Sequence, residues 1–216
     1  MGTTEIPYTR AAGYAVQYRD ERFRVGSGPL THQREITALR QLIDRSGARS
    51  GRWLDMPCGA GRLSDLLPGE VVRADRDPSM LTACTNSRPR VCAAGSALPF
   101  RDGAFAGALC MRLMHHIARP QDRRTVLREL RRVTRGPVLV SFFDSCNLQH
   151  LRRNIARRLG KPRSDRGAIR FARFRRDLDA AGLHAEAWIP LRRFISEQWI
   201  VLARPIPATV DSSPPA

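Results

Sequence analysis

The stretch Trp53-Leu54-Asp55-Met56-Pro57-Cys58-Gly59-Ala60-Gly61-Arg62-Leu63 is an apolar run that ends in an acid and continues into a turn with two glycines. The pattern predicts a buried strand, a tight loop and the start of a helix. Gly59 and Gly61 lack a Cβ, so the backbone there can adopt positive φ and approach a ligand closely. A following helix would offer unpaired N–H groups to the same ligand. An ordinary strand-to-helix turn gives the same pattern, so the glycine turn alone does not identify a cofactor site.

A second acid stands at the spacing expected of a nucleotide-binding unit. Residues 70–75 form another apolar run, and it ends in Asp75, 20 residues after Asp55. In a β-α-β unit, an acid at the end of the second strand can accept hydrogen bonds from both ribose hydroxyls. The alternative is a solvated aspartate at a strand end, which the glycine turn at this spacing disfavours.

The rest of the chain alternates between helical and extended patterns. Apolar residues at helical spacing predict helices over 31–46 and 122–133, and the leucines after Gly61 predict a short helix that Pro68 ends. This alternation predicts an α/β fold with a doubly wound, mostly parallel sheet. The further predicted strands are 70–75, 90–94, 104–111 and 137–143.

Composition limits the class of protein. The chain has 216 residues, 42% of them hydrophobic, which suits one globular domain with a full core. No basic start followed by an apolar run and no membrane-length apolar segment is visible, so a cytoplasmic location is expected. Five irregularly spaced cysteines predict reduced thiols, and the sequence predicts no metal site.

Four segments in this order and spacing resemble the class I S-adenosylmethionine-dependent methyltransferases: Leu54–Arg62, Ala74–Leu81, Leu98–Phe105 and Leu113–Ile117. Within that superfamily the chain is most similar to the group that includes the quinone-biosynthesis C-methyltransferases. The resemblance implies a Rossmann-like, doubly wound sheet of seven strands, mostly parallel, that closes with a C-terminal antiparallel hairpin over 184–189 and 195–203. It implies S-adenosylmethionine as the cofactor.

The resemblance also implies which residues bind the cofactor. Asp55 and the glycine turn would cradle its methionine and ribose portions, Asp75 would bond the ribose, and Arg76 would lie along the adenine. Pro57 stands where the family has its first glycine, which suits the turn only if a rigid corner is sufficient there. The complete predicted set is Asp55, Pro57, Gly59, Gly61, Asp75, Arg76, Ser96, Ala97 and Arg112, in which Ser96 takes the place of an adenine-binding aspartate.

Two residues are candidates for a catalytic base. The strand predicted over 104–111 opens onto His115 and His116, at the sheet edge where substrate and cofactor meet. His115 is the candidate, because an imidazole can accept a proton near neutral pH; His116 is expected to pack under the next helix. Asp144 follows the fifth strand and is a second candidate, with a loop or helix cap as the competing interpretation.

Charge is concentrated in one segment. The net charge is +17, and residues 147–176 hold eleven basic residues and one acid. An apolar stripe edged by arginine over 148–159 suits an anionic membrane surface, and a helix packed on the domain is the alternative. Nucleic acid is a less favoured partner, since few aromatic residues lie among the basic ones. The predicted divisions are a leader or cap over 1–30, a methyltransferase domain over 31–203 with a basic insert at 144–166, and a disordered tail over 204–216.

These features predict transfer of a methyl group from S-adenosylmethionine to a small-molecule or lipid-like acceptor. The sequence leaves open whether oxygen, nitrogen or carbon is methylated, and what the oligomeric state is. Two other functions are compatible with it. One is a non-catalytic adaptor that binds an anionic partner, and the other is an RNA methyltransferase.

Overall fold

The computed structural model describes residues 13–21, 26, 28–85, 88–147, 152, 167–192 and 196–207. The described helices are α1 (Tyr14–Asp20), α2 (Gly28–Ser46), α3 (Pro78–Thr82), α4 (Pro120–Val133) and α5 (Phe171–Asp179). The strands are β1 (Arg52–Asp55), β2 (Glu70–Asp75), β3 (Arg90–Cys92), β4 (Gly107–Cys110), β5 (Val138–Phe143), β6 (Leu183–Pro190) and β7 (Gln198–Pro205). Single 3₁₀ turns occur at Ser64–Leu66 and Met114–His116.

The strands form one sheet in the order β3-β2-β1-β4-β5-β7-β6. Strands β1 to β5 pair parallel with one another, and β7 pairs antiparallel with both β5 and β6. This arrangement confirms the predicted doubly wound sheet with a closing antiparallel hairpin. The strand order reverses direction between β1 and β4, so a crevice is expected at the carboxyl ends of these two strands.

The sheet is covered on both faces, as a parallel sheet has to be. Every residue of β4 and β5 is buried. One face packs against α4 and α5, and the other packs against α2 through Leu39, Leu42 and Ile43. Gly107 of β4 lies beneath the Trp53 ring, and a Cβ there would stand 2.6 Å from it. Each large apolar side chain that is fully buried contributes about 2 kcal/mol relative to an exposed one.

The element boundaries differ from prediction in a few places. The helix predicted after the glycine turn is only the 3₁₀ turn Ser64–Leu66, because Pro68 holds Leu67 in an extended conformation with φ −78° and ψ 136°. Strand β7 extends to Pro205, two residues into the predicted tail, since Pro205 pairs with Leu183. Helix α2 begins at Gly28, within the predicted leader.

Several predictions concern residues outside the described part of the chain. The amphipathic segment predicted over 148–159 and most of the basic insert lie there, as does the tail beyond residue 207. No helix among the described residues is long and apolar enough to cross a membrane.

A buried ion pair joins α4 to α5. Arg123 Nε and Nη2 both donate to Asp177 Oδ2, at 2.9 and 2.7 Å, and Arg124 Nε donates to Asp177 Oδ1 at 2.8 Å. The side chains of Arg123 and Asp177 are 5% and 2% exposed. Arg123 Nη1 also donates to the carbonyl oxygens of Ile117 and Ala118, so its charge is well satisfied although it is buried.

Replacing Asp177 with alanine should lower the free energy of unfolding by about 3 to 5 kcal/mol, because Arg123 would then be buried without its carboxylate. Urea titration followed by circular dichroism would measure this. Glu70→Ala is the control, since Glu70 and Arg52 form an ion pair whose side chains are 54% and 53% exposed, and its loss should cost less than about 1 kcal/mol. Equal effects of the two substitutions would contradict a stabilising role for the buried pair.

Candidate active site

A cavity of about 530 Å³ opens at the carboxyl ends of β1, β2 and β4. Its walls come from the glycine turn after β1, the segments after β2, β3 and β4, and one residue of α1. The described lining residues are Tyr14, Asp55, Met56, Pro57, Cys58, Gly59, Ala60, Arg62, Leu63, Asp75, Arg76, Asp77, Met80, Ala93, Gly95, Met111, Arg112, Leu113, His115 and His116. The cavity lies at the crevice that the strand order predicts.

The glycine turn has the backbone that its sequence predicts. Gly59 and Gly61 have φ of 54° and 79°, a region that favours glycine. A Cβ on Gly61 would also lie 2.8 Å from Arg73 Cζ, so this position has no room for a side chain. Pro57, which follows Met56 through a cis peptide bond, lies outside the positive-φ region. The corner at residue 57 is therefore one that proline can occupy.

Asp75 joins the end of β2 to the glycine turn. Its Oδ2 accepts a hydrogen bond from Gly59 N at 2.9 Å, and its Oδ1 accepts one from Asp77 N at 3.0 Å. The carboxylate is buried, and the residue lines the cavity. The same aspartate thus shapes the turn and faces the cavity.

Asp55 lies at the end of β1 in a drier environment. Its Oδ2 accepts a hydrogen bond from Ser64 Oγ at 2.6 Å, and Ser64 Oγ accepts one from Arg73 Nε at 2.9 Å. Burial raises the pKa of Asp55 to about 7, and the bond from Ser64 and the charge of Arg73 oppose that rise only in part. Asp55 therefore changes protonation near neutral pH.

Glu35 of α2 holds together two arginines at the cavity wall. Its side chain is 0% exposed, and it accepts hydrogen bonds from Arg62 Nη2 at 2.5 Å, Arg112 Nε at 2.8 Å and Gln198 Nε2 at 2.6 Å. Burial would raise the pKa of Glu35, but the charges of Arg112 and Arg62 and the hydrogen bonds hold it below its usual range. The carboxylate stays ionised, and the two guanidinium groups retain one net positive charge beside the cavity.

Arg112 has an unusual backbone for a residue with a side chain. Its φ is 60°, in the left-handed region, which costs about 1 to 2 kcal/mol for a residue other than glycine. Arg112 N donates to Ser141 Oγ at 2.7 Å, and the guanidinium binds Glu35 and Gln198. These bonds fix the turn after β4. Arg112 was predicted to bind cofactor, and the structure places it in the cavity wall with its side chain directed to Glu35.

The two histidines differ in burial, and only His116 is placed differently from the prediction. His115 is buried and stacks on Phe143, with ring centroids 3.9 Å apart and ring planes 9° apart, whereas His116 is exposed. The expectation that His116 packs under the next helix is therefore wrong. Met114 takes the innermost position of the 3₁₀ turn, which leaves His116 on its outer side. Both imidazoles line the cavity.

Ser96 and Ala97 do not line the cavity, although they were predicted to bind the cofactor. Both are exposed, and the residues of this segment that reach the cavity are Ala93 and Gly95. Glu129 of α4 accepts a hydrogen bond from Leu98 N at 2.8 Å and so fixes the course of the chain beyond Gly95. The family position carried over to Ser96 therefore falls outside the described cavity wall.

Asp144 is also absent from the described cavity wall. It is buried, and its Oδ1 accepts a hydrogen bond from Phe171 N, the first residue of α5, at 3.1 Å. This contact satisfies an amide that the helix itself leaves unpaired. The geometry is the helix cap that the sequence offered as the competing interpretation to a base.

Glu35 and Arg62 were missed as functional residues. Glu35 precedes Leu39 by four residues and Leu42 by seven, so it lies on the apolar face of α2. An acid on such a face needs a buried partner, and this signal is visible in the sequence. Arg62 follows the second glycine of the turn directly, but its partner lies 27 residues away and nothing local indicates it.

Residues 54–140 match the model of a protein family described as a methyltransferase domain. The match runs from β1 into β5 and includes the glycine turn, Asp75 and both histidines. A comparison with curated protein sequences finds no match.

The structure is similar to those of several methyltransferases. Magnesium protoporphyrin IX methyltransferase from Synechocystis PCC 6803 with bound SAH matches with a TM-score of 0.72 and 16% identity, over 89% of this chain and 92% of that chain. The same protein with bound SAM gives a TM-score of 0.66 and 14% identity, over 90% and 92% of the two chains. An S-adenosylmethionine-dependent methyltransferase from Clostridium acetobutylicum ATCC 824 gives 0.66 and 12%, over 90% and 98%.

At identities this low, the structural matches establish the fold alone. The family match adds that residues 54–140 resemble a methyltransferase domain. Both comparisons agree with the predicted class of enzyme, a methyltransferase: the family model over residues 54–140, and the solved structures, of which two hold SAH or SAM. They do not single out the group of quinone-biosynthesis C-methyltransferases.

Replacing Glu35 with glutamine should lower the free energy of unfolding by about 3 kcal/mol, because Arg62 and Arg112 would lose their shared negative charge. The pKa of Glu35 is lowered on folding, so its contribution is present above the usual carboxyl range and is lost as pH falls through the lowered value. Denaturant titrations of both proteins from pH 7 to pH 3 should therefore converge at the acid end. Glu21→Gln, at an exposed position, is the control, and a difference no larger than the control's at pH 7 would contradict the role of Glu35.

The contribution of Asp55 to the free energy of unfolding should change with pH in the opposite direction to that of Glu35. Its pKa is raised on folding to about 7, so wild-type protein should lose stability as pH rises from about 4 through that value. The amide of an Asp55→Asn variant does not titrate, so the variant should gain on wild type by up to about 1.4 kcal/mol per pH unit in this window. Urea titrations across pH 4 to 8 would measure the difference, with exposed Asp44→Asn as the control. A difference that does not change with pH would show that folding leaves the pKa of Asp55 unchanged.

Proposed function

We propose that this protein transfers the methyl group of S-adenosylmethionine to a nucleophilic atom of a small-molecule or lipid-like acceptor. The observation that carries the proposal is the cavity at the strand-order reversal, which joins the glycine turn, Asp75 and the two histidines in one wall. A volume of about 530 Å³ lies within the range of small-ligand pockets.

The donor set of the cavity fits the cofactor. Gly59 lines the cavity and leaves the backbone of the turn open to a close ligand, whereas the missing Cβ of Gly61 makes room for Arg73. Asp75 lines the same wall, where its carboxylate would accept hydrogen bonds from ribose hydroxyls. Asp55 would accept from polar groups of the methionine portion. Arg76 is exposed at the cavity and would lie against the adenine. Pro57 would stiffen the turn.

The cavity wall suggests two changes to the cofactor-binding residues that the sequence indicated. Ala93 and Gly95 line the cavity, which supports a contact of these two residues with the cofactor in place of Ser96 and Ala97. Arg112 would act by holding the turn after β4 rather than by binding the cofactor with its guanidinium, since that group is bonded to Glu35. We therefore assign Arg112 a positioning role.

When bound, the cofactor supplies an activated methyl group on a sulfonium. The protein's own contribution is then mainly alignment of the acceptor, which can provide a large part of the rate. His115 and His116 stand at the wall where an acceptor proton could be taken up, and an imidazole accepts a proton near neutral pH. Asp144 is not part of this proposal, because its carboxylate caps α5.

The small-molecule class of acceptor has support from one structural relative. The Synechocystis protein is named for magnesium protoporphyrin IX, which is a small molecule. The sequence also resembles the quinone-biosynthesis C-methyltransferases, and this resemblance supports the more specific proposal of a lipid-like acceptor. Which atom is methylated is a matter for the acceptor once it is identified.

Isothermal titration calorimetry with S-adenosylmethionine and with its demethylated product should detect binding to the purified full chain. Asp75→Ala should weaken binding by about 1 to 3 kcal/mol, the scale of hydrogen bonds to a charged group. Asp44→Ala, at an exposed position on α2, should leave the affinity unchanged. Absence of binding to the folded wild type would overturn the proposed function, and an unchanged affinity in Asp75→Ala would remove Asp75 from the site.

A further inference from the structure

A second cavity, of about 720 Å³, lies between α4 and α5. We call it the arginine cavity, because five of the described residues that line it are arginines: Arg123, Arg124, Arg170, Arg173 and Arg176. Asp177 is the only acid among these described lining residues. The cavity therefore has a strong excess of positive charge in a concave wall, which focuses the electrostatic potential on an anion.

Asp177 does not offset the charge of all five arginines. Its two carboxylate oxygens are taken by Arg123 and Arg124. Within the described part of the chain, no acidic side chain forms an ion pair with Arg170, Arg173 or Arg176. These three arginines recur every third residue at the start of α5, so they lie on one face of the helix. Three guanidinium groups thus converge on the cavity with no anion from the described protein.

The wall of the arginine cavity is held by backbone hydrogen bonds. Gly167 N donates to the His115 carbonyl oxygen at 2.8 Å, and Ile169 N donates to the Phe143 carbonyl oxygen at 2.7 Å. Asp144 caps the first turn of α5. The start of α5 is therefore fixed to the carboxyl end of β5 and to the 3₁₀ turn that carries the histidines. This preorganisation reduces the entropy lost when a ligand binds.

The arginine cavity is a different site from the cofactor cavity. His116 lines the first cavity and Ala118, two residues later, lines the second. The two cavities share no lining residue among those described. A ligand of the arginine cavity would consequently lie beside the methyl-transfer site without displacing the cofactor.

We propose that the arginine cavity binds a phosphate group of a ligand other than the cofactor. Guanidinium groups present paired N–H donors in a planar fork that matches phosphate oxygens, and several of them together favour a multiply charged anion. The ligand can be a soluble phosphate compound or the headgroup of a lipid, since both present the same group.

A small phosphate ligand accounts for the surroundings better than a nucleic acid does. The two aromatic residues among these arginines are engaged in the protein: Phe174 is buried against Phe142, with ring centroids 4.4 Å apart, and Phe171 packs against Trp188 and Trp199. Neither is available as a base-stacking platform, which single-stranded nucleic acid sites generally use.

Titration calorimetry of the full chain with inorganic pyrophosphate tests the proposal at an ionic strength of about 0.15 M, where charges more than about 8 Å apart are largely screened. Wild type should bind pyrophosphate, and Arg173→Glu should weaken that binding roughly ten-fold or more, because one hydrogen-bonded charge is replaced by its opposite. The matched control is Arg175→Glu, which makes the same change of net charge on the same helix, at an exposed position that does not line the cavity. It should stay within about two-fold of wild type. Arg176→Gln, a milder change at the cavity, should also weaken binding.

The outcomes separate this proposal from the others. No binding of pyrophosphate to wild type, or an equal loss in Arg173→Glu and Arg175→Glu, would overturn it. Binding of the demethylated cofactor, measured in the same samples, reports folding and tests the proposed methyl transfer independently. Retention on phosphatidylglycerol vesicles that depends on Arg173 and not on Arg175 would identify the source as a lipid headgroup, and pyrophosphate binding without retention would identify a soluble compound. RNA binding that both variants weaken equally, with no pyrophosphate binding, would replace the proposal by a nucleic acid surface.

Discussion

The buried carboxylate of Glu35 is the contact on which the candidate active site depends. It joins α2 to the glycine turn through Arg62, to the end of β4 through Arg112, and to β7 through Gln198. These elements are far apart in the sequence, and this one group bonds to all of them. A buried charge is costly unless it is paired, so the site is assembled as a unit or left with uncompensated charge. The backbone of Arg112, with φ of 60°, is held in place by the same network.

The two aspartates of the cofactor cavity show how local surroundings give the same side chain different properties. Asp75 accepts hydrogen bonds from the backbone amides of Gly59 and Asp77. Asp55 is buried and accepts a hydrogen bond from the Ser64 hydroxyl, and its burial raises its pKa to about 7. Asp75 therefore shapes the turn through its hydrogen bonds, whereas the charge of Asp55 depends on pH near neutrality. Their spacing along the chain indicates the pair but not this division.

What the sequence could predict was determined by short-range patterns. The glycine turn, the acid at the end of β2 and the strand alternation are local, and each was found at its predicted place. Ser96 lies outside the described cavity wall, and the chain near it is held by a hydrogen bond between Leu98 and Glu129, 31 residues apart. The sequence shows Glu35 as an acid on the apolar face of α2, but it does not indicate the partner Arg112, which lies 77 residues away. Contacts of this kind depend on how helices settle on the sheet, and a single sequence carries little information about that.

The position of β7 has a consequence for how the chain matures during synthesis. This strand is the last of the seven to leave the ribosome, yet it lies inside the sheet, between β5 and β6. Until it arrives, β5 has an open edge that can pair with another chain. Gln198, its first residue, also completes the bonds of Glu35. A nascent chain that stops short of β7 therefore has both an unprotected sheet edge and an incomplete cavity wall, and a chaperone would have most to protect at that stage.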